Sequence, residues 1–208
     1  MEGFLARWYA KNTAKDMPRF RDGARLALEN TPIGGAMLEV APGPGYLSVE
    51  VAKSGRCRVA GLDISKTCVE IARENAEAAG VNVDFRQGDA AHMPFADGIY
   101  DFIICTAAFK NFTDPVGALR EMCRVLRPGG KALIIDLRRE ASMTTIKRYV
   151  DDMGLSKMDA LFTVLTFRFM LIPRAYTRQK LQAVIAQTKF RSSRIDERGM
   201  GFEAWLQK

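Results

Sequence analysis

Three carboxylates and a pair of glycines stand at spacings that suit a nucleoside. Glu39 is followed by Val40-Ala41-Pro42-Gly43-Pro44-Gly45-Tyr46, in which Gly43 and Gly45 let the backbone turn and a ligand approach without Cβ contacts. Asp63 stands in Gly61-Leu62-Asp63-Ile64-Ser65, where a carboxylate can accept hydrogen bonds from both ribose hydroxyls. Asp89 follows in Gln87-Gly88-Asp89-Ala90, placed to accept from an exocyclic adenine amine. The glycines alone would be explained by a structural turn; Asp63 is what turns the pattern toward a ligand. A nicotinamide dinucleotide is the rival, because its fingerprint also has an acidic residue about 20 positions after the glycine loop. Three features oppose it. Ser48 replaces the third glycine, Glu39 would repel a pyrophosphate but suit an ammonium, and Asp89 suits adenine.

The elements that must position these groups are legible as short apolar runs alternating with amphipathic stretches. Strands are expected at 36–41, 57–64, 81–86, 100–106 and 131–137. A short helix follows the glycine turn from about Tyr46. Ser65 caps the next, whose Val69, Ile71, Ala72, Ala76 and Ala79 share a face before Gly80 ends it. Asp114-Pro115 opens another helix, as N-cap and first helical residue, and Arg127-Pro128-Gly129-Gly130 closes it. Buried strands separated by helices imply right-handed βαβ units and a parallel sheet covered on both faces. Beyond Leu137 come helices at 144–153, 156–172 and 177–188. Two strand-like runs, 190–197 and 200–207, meet at Arg198-Gly199 and must be antiparallel. The expected fold is α/β and Rossmann-like: a seven-stranded, mostly parallel sheet with an antiparallel C-terminal hairpin and a helical insertion after the fifth strand. In such sheets ligands bind beyond the carboxyl ends of the strands.

An ammonium, a ribose and an adenine together describe S-adenosyl-L-methionine (SAM). At this point the chain resembles the class I SAM-dependent methyltransferases of the type 11 group. The residues that carry the resemblance are Leu38–Gly45, Gly61–Ser65, Gly88-Asp89-Ala90, Met93-Pro94-Phe95 with Tyr100-Asp101, and Arg124–Gly130. It runs from about Met37 to Leu137, roughly half the chain, and Ala41 stands where the family usually has glycine. The resemblance implies that Glu39, Ala41 and the Gly43–Gly45 turn hold the methionine part and that Asp63 holds the ribose. Ile64 would pack on one adenine face, Asp89 and the Ala90 amide would read the adenine edge, and Thr106 would line the cleft near the methyl group. The product would be S-adenosyl-L-homocysteine (SAH). The expected organisation is a single methyltransferase domain over 1–208: a helical cap (1–30), a SAM-binding core (31–137), a helical lid (138–176), and the last helix with the hairpin (177–208).

The acceptor is less legible. An Asp/Asn-Pro-Pro-Tyr motif is absent, as is a Pro-Cys nucleophile or a metal-binding carboxylate cluster. Leu161, Phe162, Val164, Leu165, Phe167, Phe169, Met170, Leu171 and Ile172 are too many apolar groups for one core-facing stripe. Either this helix packs on the sheet and on its partner helix, or it is a lid whose apolar wall favours a small hydrophobic or aromatic acceptor. Tyr9, Phe162 and Phe169 are then substrate residues, and the first helix, with Trp8, Tyr9 and Arg21, closes the other side. Lys110 and Asn111 are candidates for polar groups facing the acceptor, with no catalytic base identified; Arg138, Arg139 and Lys147 could instead serve an anionic substrate.

Composition bounds the rest. The 208 residues are 48% hydrophobic and 26% charged, with a mean hydropathy of −0.10, which suits one packed core and excludes disorder. No apolar run approaches the roughly 20 residues of a membrane span, and the N-terminus lacks the features of a signal peptide. The expectation is a soluble, cytoplasmic monomer or homodimer. Cys57, Cys68, Cys105 and Cys123 form no C-x-x-C pair and read as reduced thiols, with no metal site expected. His92, the one histidine, reads as a loop residue on the surface or supporting the site. Residues 137–208 hold 14 Lys+Arg against 7 Asp+Glu, which equals the whole net charge of +7. That excess leaves two alternatives beside a small-molecule enzyme: an RNA methyltransferase, or a SAM-binding partner subunit without activity.

Overall fold

The computed structural model describes Glu2–Lys208, the side chain of Lys15 excepted. Seven strands form one sheet: β1 (Ala36–Val40), β2 (Arg58–Asp63), β3 (Asp84–Gln87), β4 (Tyr100–Thr106), β5 (Leu126–Leu137), β6 (Ser192–Arg198) and β7 (Gly201–Gln207). Their order is β3-β2-β1-β4-β5-β7-β6, parallel except where β7 runs antiparallel to both β5 and β6. The expected seven-stranded sheet and terminal hairpin are present.

Continuous apolar runs make these strands because both faces of the sheet are covered. Alternate residues of β1 point to opposite faces. Leu38 and Val40 join Ile103, Cys105, Leu119 and Met122 in one buried cluster, while Met37 joins Phe102, Ile104 and Leu133 in the other. Helices α5 (Pro115–Val125) and α8 (Arg178–Ile185) cover the first face. Helices α2 (Met17–Asn30) and α3 (Tyr46–Ala52) cover the second through Ala24, Ala27, Leu47 and Val51. Ser65 caps α4 (Lys66–Ala78) and Asp114 caps α5, each accepting from the backbone N–H three residues on.

The structure revises several boundaries. The first helix expected to carry Trp8, Tyr9 and Arg21 is two helices, α1 (Gly3–Thr13) and α2, separated by a 3-10 turn with Pro18 near the start of the second. Only α1 lies on the rim, and Arg21 sits on α2 beside Glu50 rather than with Trp8 and Tyr9. β3 begins at Asp84, not Val81, because Val81 and Val83 pack sideways on the α4 cluster. β5 begins at Leu126, with its register against β4 jumping from Tyr100↔Leu126 to Phe102↔Lys131, so Arg127–Gly130 form an excursion within the strand rather than the end of the helix. The insertion consists of α6 (Met143–Asp151) and α7 (Lys157–Thr166), and the expected helix to Ile172 finishes in a π turn at Phe167–Leu171.

Candidate functional site

Strand order places the switch point between β1 and β4, since the chain leaves β1 toward β2 on one side and returns to β4 on the other. The only two non-glycine residues with positive φ among those described sit at the carboxyl ends of these two strands: Ala41 (φ 58°) after β1 and Ala107 (φ 57°) after β4. A left-handed alanine costs roughly 1–2 kcal/mol, and such strain concentrates where a site is built. At Ala41 the sequence comparison with a glycine consensus becomes a conformational fact. Ala41→Gly should stabilise the fold by about 1 kcal/mol, read as a higher urea midpoint, with no change if the position is unstrained.

The glycine turn has two different reasons for its glycines. A Cβ on Gly45 would lie 2.6 Å from Phe85 Cζ and 2.8 Å from Ala72 Cβ, so packing excludes any side chain there. A Cβ on Gly43 would meet only Tyr9 Cε1, 3.8 Å away, so here the glycine serves backbone shape and leaves room at the turn. Asp63, buried at the end of β2, holds this turn: Oδ2 accepts from Gly43 N at 2.9 Å and Oδ1 from Ser65 N at 2.9 Å. Burial pushes its carboxyl upward, against those two hydrogen bonds.

Glu39 lies near the carboxyl end of β1, between Gly61 of β2 and Ile104 of β4, and is buried. Its Oε2 accepts from Ser48 N at 3.0 Å and Ser48 Oγ at 2.6 Å. Ser48 therefore has a task of its own, as a donor to the carboxylate. Burial raises the Glu39 pKa to about 7, opposed by Ser48 and reinforced by Asp63. Because the folded value exceeds the unfolded 4.5, the contribution of Glu39 to stability is full below about pH 4.5 and is lost as pH rises through 7. Glu39→Gln should flatten that decline, measured as urea stability at pH 5 and pH 8. An identical decline in both proteins would remove Glu39 as its source.

The remaining expected cofactor residues gather around the same rim. Ile64, after β2, is 67% exposed. Asp89 is exposed in the loop after β3, accepting from Ala91 N, with His92 Nδ1 3.7 Å from its Oδ2. Ala90 packs partly against the core. Arg124 fixes this loop to α5, donating to Asp97, Glu121 and the carbonyls of Met93 and Phe95, while Glu121 accepts from Met93 N. Thr106 ends β4 beside Ile135.

Lys110 is differently placed from the expectation. Its side chain is 6% exposed, and Nζ donates to Asp136 Oδ1 at 2.9 Å and Ala107 O at 2.6 Å. Its own N–H donates to Asp136 Oδ2. Lys110 is thus a tie between the β4 turn and β5, not a group held toward an acceptor; Asn111 beside it is exposed. Arg138 and Arg139 are likewise engaged, with Glu197 and Gly199 O and with Pro173 O.

Helix α1 lies along the rim. Glu2 accepts from the N–H groups of Lys66 and Thr67 and from the Thr67 hydroxyl, capping α4 from outside. Gly3 N donates to Thr67 Oγ1, and Tyr46 Oη donates to Ala10 O. Tyr9 lies against the glycine turn, its Cε1 3.8 Å from where a Cβ on Gly43 would stand; burial raises its phenol pKa. Phe162 and Phe169 are 75% and 69% exposed, on the face of α7 and the π turn opposite Val164 and Phe167, which pack on Ile146, Ile172 and Met200. A depression lined by Ala36, Arg58, Asp84, Tyr100 and Arg127 lies at the amino ends of the strands, away from these residues.

Glu121, Asp136, Ser48 and Glu2 were not anticipated. Only Arg124, within the motif Arg-Val-Leu-Arg-Pro-Gly-Gly, offered a signal for one of these networks.

Residues 38–134 match the family described as "Methyltransferase domain". That segment holds the motifs on which the resemblance to the class I SAM-dependent methyltransferases rests. Among the curated relatives, the demethylmenaquinone methyltransferase of Thermus thermophilus is 37% identical over 117 residues, covering 56% of this chain and 52% of the relative. The ubiquinone/menaquinone biosynthesis C-methyltransferase UbiE of Haemophilus ducreyi is 33% identical over 112 residues, covering 51% and 42%. The chain spans about half the length of the curated relatives it matches. A putative SAM-dependent methyltransferase from Methanococcus maripaludis shares the fold at TM-score 0.77 and 22% identity, covering 98% of this chain and 91% of that one. The plantazolicin methyltransferase BpumL, solved with SAH, shares it at TM-score 0.71 and 15% identity, with 98% and 89% covered.

Proposed function

We propose that this chain is an active SAM-dependent methyltransferase whose acceptor is a small apolar or aromatic molecule. The observation that carries the reading is the joint placement of Asp63, the Gly43 N–H and buried Glu39 at the carboxyl ends of neighbouring strands beside the switch point. These groups fit SAM. Glu39, with Oε2 held by Ser48, would hold the ammonium, while Asp63 would take the ribose. Exposed Ile64 offers an apolar face for adenine, with Asp89 and the Ala90 amide at its edge.

SAM, when bound, supplies a sulfonium-activated methyl group. The chain's own contribution is then to hold the cofactor, orient the acceptor in line near Thr106 and exclude water. With the Lys110 amine engaged by Asp136, no side chain near the β4 turn is assigned as a base. The names of the quinone-biosynthesis relatives support an apolar acceptor. Against RNA, Arg138, Arg178, Arg194 and Arg198 of the basic third are paired with Glu197, Asp196 and Glu203.

The test is calorimetric titration with SAH and, in parallel, NADH, then turnover on a panel of phenols, thiols, amines and quinol-like rings. Micromolar SAH binding without NADH binding is expected; the opposite overturns the reading. If the α7 face meets the acceptor, Phe162→Ala should raise its KM with SAH affinity unchanged.

A further inference from the structure

Two helices on the rim present large apolar side chains to solvent rather than to the core. On α7, Met158, Leu161, Phe162 and Leu165 follow the i, i+3, i+4, i+7 spacing of one face, which the π turn extends through Phe169 and Met170. Met158 is 81% exposed. On α1, Phe4 is 85% and Trp8 56% exposed, one helical turn apart. The inward residues of each helix are already packed, Val164 and Phe167 on Ile146 and Ile172, and Ala6 and Ala10 on Cys68 and Ile71. The outward faces therefore have no partner within the described chain.

Both faces belong to the same edge of the sheet. The insertion leaves and returns at the carboxyl end of β5, closed by the Arg138–Tyr176 bridge. Helix α1 is anchored at Lys66 and Thr67, just beyond the carboxyl end of β2. Around the apolar face of the insertion stand Lys147, Arg148, Lys157, Arg168 and Arg174, all exposed and none within ion-pair distance of a carboxylate among the described residues. Arg194 and Arg198 of the hairpin, by contrast, are paired.

From this combination we infer that the carboxyl-end rim docks on an anionic lipid bilayer surface. Apolar side chains from α1 and α7 enter the interface while the unpaired cations meet lipid headgroups. Amphipathic helices with Trp, Phe or Leu on one side and Lys or Arg flanking it bind bilayers in this way. A second copy of the chain is the poorer occupant, because a two-fold contact would set the same unpaired cations against each other. Nucleic acid would leave the apolar faces uncovered. The inference stands independently of which acceptor is methylated.

Sedimentation with vesicles tests it, using phosphatidylcholine alone and phosphatidylcholine with about one third phosphatidylglycerol. Binding to the anionic vesicles should exceed that to the neutral ones by at least tenfold, fall with added salt, and shift Trp8 emission to shorter wavelength. The variant Phe4→Ser/Met158→Ser/Met170→Ser, all on exposed positions, should lose at least tenfold in vesicle binding. Its SAH affinity and thermal midpoint should stay those of the parent. Absence of binding to either vesicle overturns the inference, as does a dimer in analytical ultracentrifugation that the same variant dissociates. Vesicle binding by a chain that fails to bind SAH would leave this inference standing and count against the proposed activity alone.

Discussion

Lys110→Met should cost about 3–5 kcal/mol of folding stability, because it leaves Asp136 charged, buried and without its cation. Asp136 has a fully buried side chain, and Lys110 supplies it with both an ammonium and a backbone N–H; Leu137 N is its other donor. For a chain of this length the loss corresponds to a fall in thermal midpoint of roughly 6 to 20 °C. Lys110→Met/Asp136→Asn should recover part of it, since the amide carries no charge to leave unpaired. An unchanged midpoint in the single variant would show that the two side chains do not meet in solution. The consequence reaches the site because Nζ also holds the Ala107 carbonyl, and Ala107 is the strained residue that turns the chain after β4.

Asp63→Ala is expected to weaken SAH binding by about ten- to a hundredfold. A hydrogen bond to a charged group contributes roughly 1.5–3 kcal/mol, and each 1.4 kcal/mol is a factor of ten. The same carboxylate organises the glycine turn through Gly43 N and the start of α4 through Ser65 N. The variant therefore also loosens the turn that shapes the site. Calorimetry checks the affinity, and unchanged affinity would place the ribose elsewhere. Gly43→Ala separates the two effects. It would force a Cβ onto a residue at φ 55° while leaving Asp63 in place, so affinity should fall through geometry alone.

The sheet and its helices were legible because their signals are local. Apolar runs mark strands buried on both faces, Ser65 and Asp114 announce helix starts, and Gly80 an end. The motif residues of the site were legible for the same reason, since the Glu39 to Gly45 stretch and Asp63 each sit at a strand end. What escaped depends on contacts distant in sequence. Lys110 looks like a polar residue after a strand until Asp136, 26 positions later, comes to lie against it. The division of α1 from α2, which sets Arg21 apart from Trp8 and Tyr9, falls at a 3-10 turn with Pro18 at the start of the second helix. The fate of the apolar excess on α7 has no local signature at all. The same spacing serves a buried face and an exposed one, and only packing decides that Val164 turns inward while Phe162 does not.

Glu2 gives the rim a fixed charge at the start of α1. Its carboxyl is pulled to a pKa of about 2, first by the Thr67 hydroxyl, so it remains ionised at every pH near neutrality. Together with Gly3 on Thr67 and the Tyr46 hydroxyl on Ala10, it fastens α1 at both ends, with Tyr9 lying over the glycine turn between the two fastenings. A ligand seated at Gly43 would thus lie beside a helix whose position is fixed by residue 2, well away from the turn itself.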